Sequence, residues 1–139
     1  MTIGPDVRAT ELLRDAAALG PARVVLRTCS GFMELFCDTD AFELGGEWLT
    51  VRNAHAHLHV QVDALHGACL LRAGAEAYPH SASLWLLGRC GSPCAIVILD
   101  VTSGAQRVRQ VAAFERLRAR WGEQVVFASP ADAEERTLH

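Results

Sequence analysis

The sequence lacks the features that mark several common classes of protein. Its 139 residues carry 13 basic side chains against 16 acidic ones, a formal net charge of -3, with the two signs interspersed. A nucleic-acid-binding domain usually shows a clustered basic face, so this balance argues against DNA or RNA as a partner. No apolar run reaches the roughly 18 to 20 residues of a membrane span, and Met1 to Asp6 hold no basic segment followed by an apolar one. We therefore expect no membrane insertion and a cytoplasmic location.

Motifs for catalysis and for disulfide or metal chemistry are also scarce. The five cysteines are an odd number, and Cys90 and Cys94 are separated by three residues, whereas redox dithiols and many zinc sites have two. We expect free thiols. The sequence has no glycine-rich phosphate loop, no Ser/His/Asp grouping and no paired carboxylates. Local motifs therefore give no support to an enzyme and favour a non-catalytic protein.

What the sequence does contain is the pattern of one α+β domain. Half of the residues are apolar, which is enough for one core at this length. Apolar residues spaced by three and four predict an N-terminal helix over Asp6–Leu19 and a C-terminal helix over Val108–Trp121. We assign residues 1–128 to a single domain and residues 129–139, which are small, polar and acidic, to a flexible tail.

Short β-branched or aromatic runs separated by turn residues predict about seven strands between the two helices. These strands are Arg23–Thr28, Phe32–Cys37, Glu47–Val51, His55–Val62, Cys69–Arg72, Ser83–Leu87 and Cys94–Leu99. Because the connections are too short for crossover helices, neighbouring strands should run antiparallel. The sequence therefore predicts a meander that forms one large antiparallel sheet, flanked by a helix at each end of the chain.

The best group of candidate ligands is a row of histidines. His55, His57 and His59 alternate with apolar residues, and alternate side chains of a strand point to the same face, so the three imidazoles should share one side. A neutral imidazole is a good ligand for heme iron or for a first-row metal. His59 is the first choice and His57 the second, with His66 and His80 as candidates in loops.

Two other interpretations of the histidine row stay open. A half-exposed strand often shows polar residues to water without any ligand, which is the more common explanation. A non-heme metal is the other. Residues two apart on one strand stand about 7 Å apart, however, which is wide for two ligands of one tetrahedral ion.

Four segments, in order, resemble one repeat of a known family. Phe42 to Trp48 (FELGGEW) stands where that family has K-x-L-G-x-W, and His57 to Val60 (HLHV) where it has N-L-H-L. Leu70 to Arg72 (LLR) corresponds to a V-V-R-K-P strand end, and Ser83 to Gly91 (SLWLLGRCG) to S-L-x-x-F-D-x-x-G. Over Gly31 to Leu117, about two-thirds of the chain, the sequence is similar to the HemS, ChuX and HutX group of heme-utilisation and hemin-degrading proteins.

The resemblance implies the α+β fold of a single HemS/ChuX-like half-repeat and a heme held against its sheet. His59 occupies the family's histidine position in N-L-H-L. Arg72 also has a family counterpart and could pair with a heme propionate, although a solvated surface arginine is the more common explanation. Trp48 and Trp85 could support the flat macrocycle, although tryptophans are more often core or interface anchors. Since the family's two-repeat members cover one repeat with the other, a single repeat implies a homodimer.

The sequence departs from the family at two points that concern heme. No histidine precedes His55, whereas two-repeat members carry an axial histidine upstream of the first strand of the repeat. The family's basic stretch after the last strand is replaced by Leu99 to Gly104, and Ala73 stands where a lysine follows Arg72. The leading hypothesis is a non-catalytic heme-binding or heme-trafficking homodimer; the alternatives are a scaffold that has lost heme and, with less support, a heme-degrading enzyme.

Overall fold

The computed structural model describes residues 7–28, 30–38, 41–72, 82–89 and 91–127. The predicted flexible tail over residues 129–139 and the loop candidate His80 lie outside these described residues. Within them, helix α1 spans Val7–Ala17 and helix α2 spans Gly104–Trp121. The strands are β1 Ala22–Thr28, β2 Gly31–Cys37, β3 Phe42–Gly45, β4 Trp48–Arg52, β5 His57–Gln61, β6 Leu65–Arg72, β7 Ala82–Gly88, β8 Pro93–Leu99 and β9 Gln124–Val126.

The strands form two antiparallel sheets. One has six strands in the order β2-β1-β8-β7-β6-β9, and the other has three in the order β3-β4-β5. All strand pairs are antiparallel. The predicted α+β class is confirmed, with antiparallel strands and one helix before β1 and another after β8; the short β9 follows the second helix.

The prediction of about seven strands in one meander needs correction. Strands β3 and β9 are additional, and β1 pairs with β8, which is distant in the sequence, as well as with β2. Strand β3 is too short for a clear alternation pattern, because it has only four residues before the chain turns at Gly46, whose φ is 60°. Strand β9 has only three residues and is held by pairing with β6, which no local pattern can show.

The inner face of the six-stranded sheet carries the main core. Cross-strand partners Leu35, Val24, Val97, Leu84 and Leu70 form one row of buried side chains across five strands. The same apolar cluster includes residues of both helices and of the three-stranded sheet, so these elements cover the inner face. Each described helix is too short or too polar to cross a membrane.

A buried glutamine connects the two helices to the start of β1. The side-chain amide of Gln110 on α2 donates to the carbonyls of Leu19 at 2.9 Å and of Pro21 at 2.8 Å. Its oxygen accepts from the hydroxyl of Thr102 at 2.9 Å. Because buried polar groups cost free energy unless they are paired, these bonds fix the position of α2 against the α1–β1 turn.

The outer face of the six-stranded sheet is also apolar, although its central residues do not belong to the core cluster that contains the two helices. Val25, Ile96, Trp85 and Cys69 are cross-strand neighbours along its middle. At the β2 edge, Phe32 and Phe36 are 69% and 62% exposed. Sequence alternation predicted that Trp85 would lie opposite the buried Leu84 and Leu86, and the structure confirms it.

Three charged residues sit at one end of this outer face. The guanidinium of Arg23 donates to Asp100 at 2.7 Å and to Glu34 at 2.7 Å. The hydrogen bond to Asp100 is the main cause that raises the pKa of Arg23 above its ordinary value. The two carboxylates thus share one guanidinium, so the charged group stays at this end of the face and leaves the apolar middle uninterrupted.

Candidate functional site

The β4–β5 hairpin arranges the predicted histidines. In β5 the side chains of Leu58 and Val60 point into the core, and those of His57 and His59 are exposed. The hairpin register places Thr50 opposite His59 and Arg52 opposite His57. The alternation predicted for this strand is thus present for two of the three histidines.

His55 lies in the turn before β5 instead of in the strand. The side-chain oxygen of Asn53 accepts hydrogen bonds from the backbone N–H of His55 at 2.9 Å and of Ala56 at 2.8 Å. The backbone N–H of Asn53 donates to the carbonyl of Ala56 at 2.8 Å, which closes the turn. An asparagine side chain that satisfies neighbouring amides favours a turn over a longer strand.

His59 has the most defined surroundings of the candidate ligands. Its Nδ1 forms a hydrogen bond of 2.9 Å with Thr50 Oγ1. Its ring contacts those of His57 and Trp48 edge to face, with centroids 5.1 and 6.2 Å away. A hydroxyl can accept from Nδ1–H, which leaves the lone pair of Nε2 for a metal.

Two surface cavities meet at His59. The histidine groove has a volume of about 380 Å³ and is lined by Arg52, Asn53, Ala54, His55, Ala56, His57 and His59. The apolar cleft has a volume of about 320 Å³ and is lined by Leu26, His59, Val60, Gln61, Ala64, Leu65, Gly88, Arg89 and Cys94. Small-molecule sites are usually concave, mostly apolar and about 300 to 1,000 Å³ in volume, so the apolar cleft has the suitable lining at the lower end of that range.

The other predicted site residues do not join this arrangement. Arg72 forms an ion pair of 2.9 Å with Glu115 on α2. Trp85 lies on the outer face of the six-stranded sheet, where its indole N–H donates to Ser83 Oγ at 3.0 Å. His66 is half-buried on β6, and its carbonyl accepts from the backbone N–H of Phe127. Of the tryptophan candidates, only Trp48, which is 45% exposed, contacts His59.

Sequence reasoning missed three residues of the site. Thr50 reaches His59 through the hairpin register, and Arg89 and Cys94 reach the apolar cleft from the end of β7 and the start of β8. The Cys94 thiol also donates to the carbonyl of Leu86 at 3.4 Å. Cys37, Cys69 and Cys94, the described members of the five cysteines, are not joined in disulfides, in agreement with the expectation of thiols. Only the pairing of β4 with β5 could have indicated Thr50 in advance.

A polydentate metal site does not fit the histidine row. In the described part of the chain, no group of three His, Cys, Asp or Glu side chains is close enough to hold a metal ion. Zinc sites use three or four protein ligands. Heme iron, in contrast, needs only one or two axial ligands from the protein, because the porphyrin supplies the others. The exposed His59 beside an apolar cleft fits this second requirement.

Comparison with known proteins gives similarity in structure but not in sequence. No family model matches the chain, and no curated protein matches it. Among solved structures, "Crystal structure of ChuX" aligns with a TM-score of 0.64 at 16% identity, over 86% of this chain and 75% of ChuX. "Structure of the Heme Binding Protein ChuX" aligns with the same TM-score of 0.64 at 15% identity, over 84% of this chain and 74% of that one. The chain has the ChuX-like fold.

The ChuX-like fold also relates the chain to a longer protein. ChuS, described as an E. coli heme oxygenase, aligns with a TM-score of 0.61 at 17% identity. The alignment covers 90% of this chain but 34% of ChuS, so the chain spans about a third of the ChuS length. The similarity to the HemS and ChuX group inferred from the four sequence segments is thus confirmed at the level of the fold.

Proposed function

We propose that this ChuX-like chain is a non-catalytic heme-binding protein of heme utilisation that carries or stores heme as a cytoplasmic homodimer. The observation that carries the proposal is the position of His59. It is an exposed imidazole whose Nδ1 is held by Thr50 and whose ring borders the apolar cleft.

The apolar cleft meets the three chemical requirements of heme. The half-buried Leu26, Ala64 and Cys94 provide apolar surface for the macrocycle. His59 provides an axial nitrogen, and the exposed Arg89 provides a cation for a propionate. His57 and His55, which line the adjoining histidine groove, are the second-choice iron ligands.

The names of the structural neighbours support the same ligand. ChuX is described as a heme-binding protein and ChuS as a heme oxygenase. Catalysis has less support in this chain, since a fold does not carry its chemistry with it and no local motif indicates a reaction. We therefore favour binding over heme breakdown.

The experiment is a hemin titration of the purified full-length chain, followed by the Soret band. We expect a saturable shift for the wild type and an affinity about tenfold or more weaker for His59→Ala, because removal of an axial ligand loses a metal bond. His66→Ala is the matched control, since His66 on β6 lines neither of the two cavities that meet at His59, and it should retain most of the affinity. A wild-type chain with no saturable Soret shift, or equal affinities for wild type and His59→Ala, would contradict the proposal.

One observation favours a second candidate, a scaffold or interaction module that keeps the fold without heme. Asp100 follows β8, where the resemblance implies a basic stretch for the propionates, and this acidic residue is bound to Arg23. A carboxylate at that position offers nothing to a heme anion. The hemin titration separates the two candidate functions, because a scaffold shows no saturable hemin binding in the wild type or in His59→Ala.

A further inference from the structure

A second groove lies between the two helices, apart from the heme candidate. It consists of two adjoining cavities of about 280 and 370 Å³ between the end of α1, the α1–β1 turn and α2. Ala18, Leu19, Ala113 and Arg116 line both cavities, so they form one continuous surface. We name it the arginine groove, after Arg14, Arg109, Arg116 and Arg120, which line it.

The arginine groove is strongly positive. Its one acidic lining residue, Asp15, already accepts hydrogen bonds from the guanidinium of Arg120 at 2.6 Å and from the indole N–H of Trp121 at 3.1 Å. Arg14, Arg109 and Arg116 are exposed, and none of them forms an ion pair with another residue of the described ranges. Three guanidinium groups are therefore available to carboxylates, for which their planar donor geometry is well suited.

The floor of the groove is apolar and preformed. Ala18, Leu19, Ala113 and Leu117 supply small or aliphatic side chains between the arginines. The hydrogen bonds of Gln110 to the carbonyls of Leu19 and Pro21 hold the two walls together. The complementary ligand is therefore a peptide segment that combines carboxylates with small apolar side chains.

We propose that the arginine groove binds the acidic segment Ala131 to Glu135 of the same chain. This segment reads Ala-Asp-Ala-Glu-Glu, so carboxylates and methyl side chains lie next to each other in the combination that the groove fits. It is also the part of the C-terminal sequence with the highest density of acidic residues. The proposal is independent of heme binding.

The path of the chain brings the segment within reach. The described residues end at Phe127, and the guanidinium of Arg8, in the first turn of α1, donates to the carbonyl of Val126. From Arg8 to Arg14 the helix rises about 9 Å, and the four residues 128–131 span up to about 13 Å when extended. A tethered segment has an effective concentration in the millimolar range, so weak ion pairs are enough to keep it bound.

The test compares amide NMR spectra of two full-length chains, the wild type and the triple variant Asp132→Asn, Glu134→Gln and Glu135→Gln. Neutralising the carboxylates should shift the amides of Leu19, Ala113 and Leu117. Salt at about 1 M should shift the wild-type amides in the same direction, because exposed ion pairs are screened at that concentration. If the groove amides coincide in the two chains at low salt, the proposal is overturned.

The converse variant changes the groove. In Arg14→Gln with Arg116→Gln, the amides of residues 132–135 should move toward the positions of an undocked segment, with docking weakened roughly two- to fivefold for each arginine removed. Arg27→Gln is the matched control. It removes an exposed arginine near the far end of β1, about 16 Å along the strand from Ala22, and should leave these amides unchanged.

A mixing experiment distinguishes docking of the acidic segment within one chain from docking of the acidic segment of a second copy. Isotope-labelled triple variant is mixed with unlabelled wild type, and the groove amides of the labelled chain are followed. Unchanged groove amides agree with docking within one chain. Movement toward the wild-type positions means that the groove takes the acidic segment of another copy, which overturns the proposal in its stated form.

Discussion

At the scale of single residues, Thr50 tests whether the orientation of His59 matters for the proposed function. Replacing it by valine keeps the shape of the side chain and its β-branch, but removes the hydroxyl that binds His59 Nδ1. Partners of metal-binding histidines are typically worth about 10- to 100-fold in affinity. Because His59 is exposed and water can replace the hydroxyl, we expect a smaller loss, about three- to tenfold, in the hemin titration of Thr50→Val.

Serine at the same position is the control for this prediction. Thr50→Ser keeps a hydroxyl beside Nδ1 and should bind hemin as the wild type does, although it loses some β-propensity. A Thr50→Val chain with wild-type affinity would show that the hydrogen bond does not position the ligand. That result would leave the role of His59 itself to the His59→Ala comparison.

Residue-level prediction from the sequence worked where it depended on alternation. The exposure of His57 and His59 against the buried Leu58 and Val60 follows from the two-residue period of a strand. The partners of these residues do not follow from it. Arg72 binds Glu115, which is 43 positions away in the sequence, and Thr50 meets His59 only through the strand register.

At the scale of elements, the pairing of β9 with β6 depends on the absence of a side chain at Gly67. A Cβ atom at this position would lie 2.5 Å from the carbonyl oxygen of Val125, which is backbone and has no freedom to turn aside. We expect Gly67→Ala to force the two strands apart and to lower the free energy of unfolding by about 1 to 3 kcal/mol. Urea unfolding followed by circular dichroism measures the loss.

Gly45→Ala is the matched control for Gly67. Gly45 is also a strand glycine, but a Cβ there has nothing within 4 Å. The variant should therefore unfold within about 0.5 kcal/mol of the wild type. Equal stability of all three chains would mean that β9 can move away from β6 without cost, contrary to the packing of Val125 and Phe127 in the core.

Elements with a strong local signal could be predicted from the sequence, and weak ones could not. The sequence predicts helix α2 from Val108, and the helix begins four residues earlier, at Gly104, because Gly104 to Arg107 (GAQR) contain no large apolar residue that would extend the periodic pattern. The short strand β9 exists through long-range pairing with β6, whereas β3 forms a hairpin with its neighbour β4 and, at four residues, is too short to show a clear alternation. Pairing between distant segments also explains why the strands divide into two sheets.

At the scale of the whole molecule, the outer face of the six-stranded sheet argues for a second copy. The central side chains of this face are apolar, and two phenylalanines at its β2 edge are largely exposed. Large exposed apolar patches mark interaction surfaces. In the proposed homodimer, this face of one chain covers the same face of the second copy. Arg23 pairs with Glu34 and Asp100 at one end of this face, away from its apolar middle.

The homodimer prediction can be tested with one buried charge. Phe36→Lys replaces an exposed ring of the β2 edge with an ammonium group, opposite Arg23 in the strand register. A face-to-face dimer would bury two such ammonium groups, and we expect the dissociation constant to rise about tenfold or more, because removing a charge from water is costly. Light scattering at micromolar concentration should give twice the chain mass for the wild type and a lower value for the variant.

Val108→Lys is the matched control for Phe36→Lys. It changes a side chain of similar exposure on α2, at 70%, and should remain dimeric, because the helix lies on the opposite side of the sheet. A wild type with the mass of one chain would show instead that the apolar outer face stays uncovered in solution.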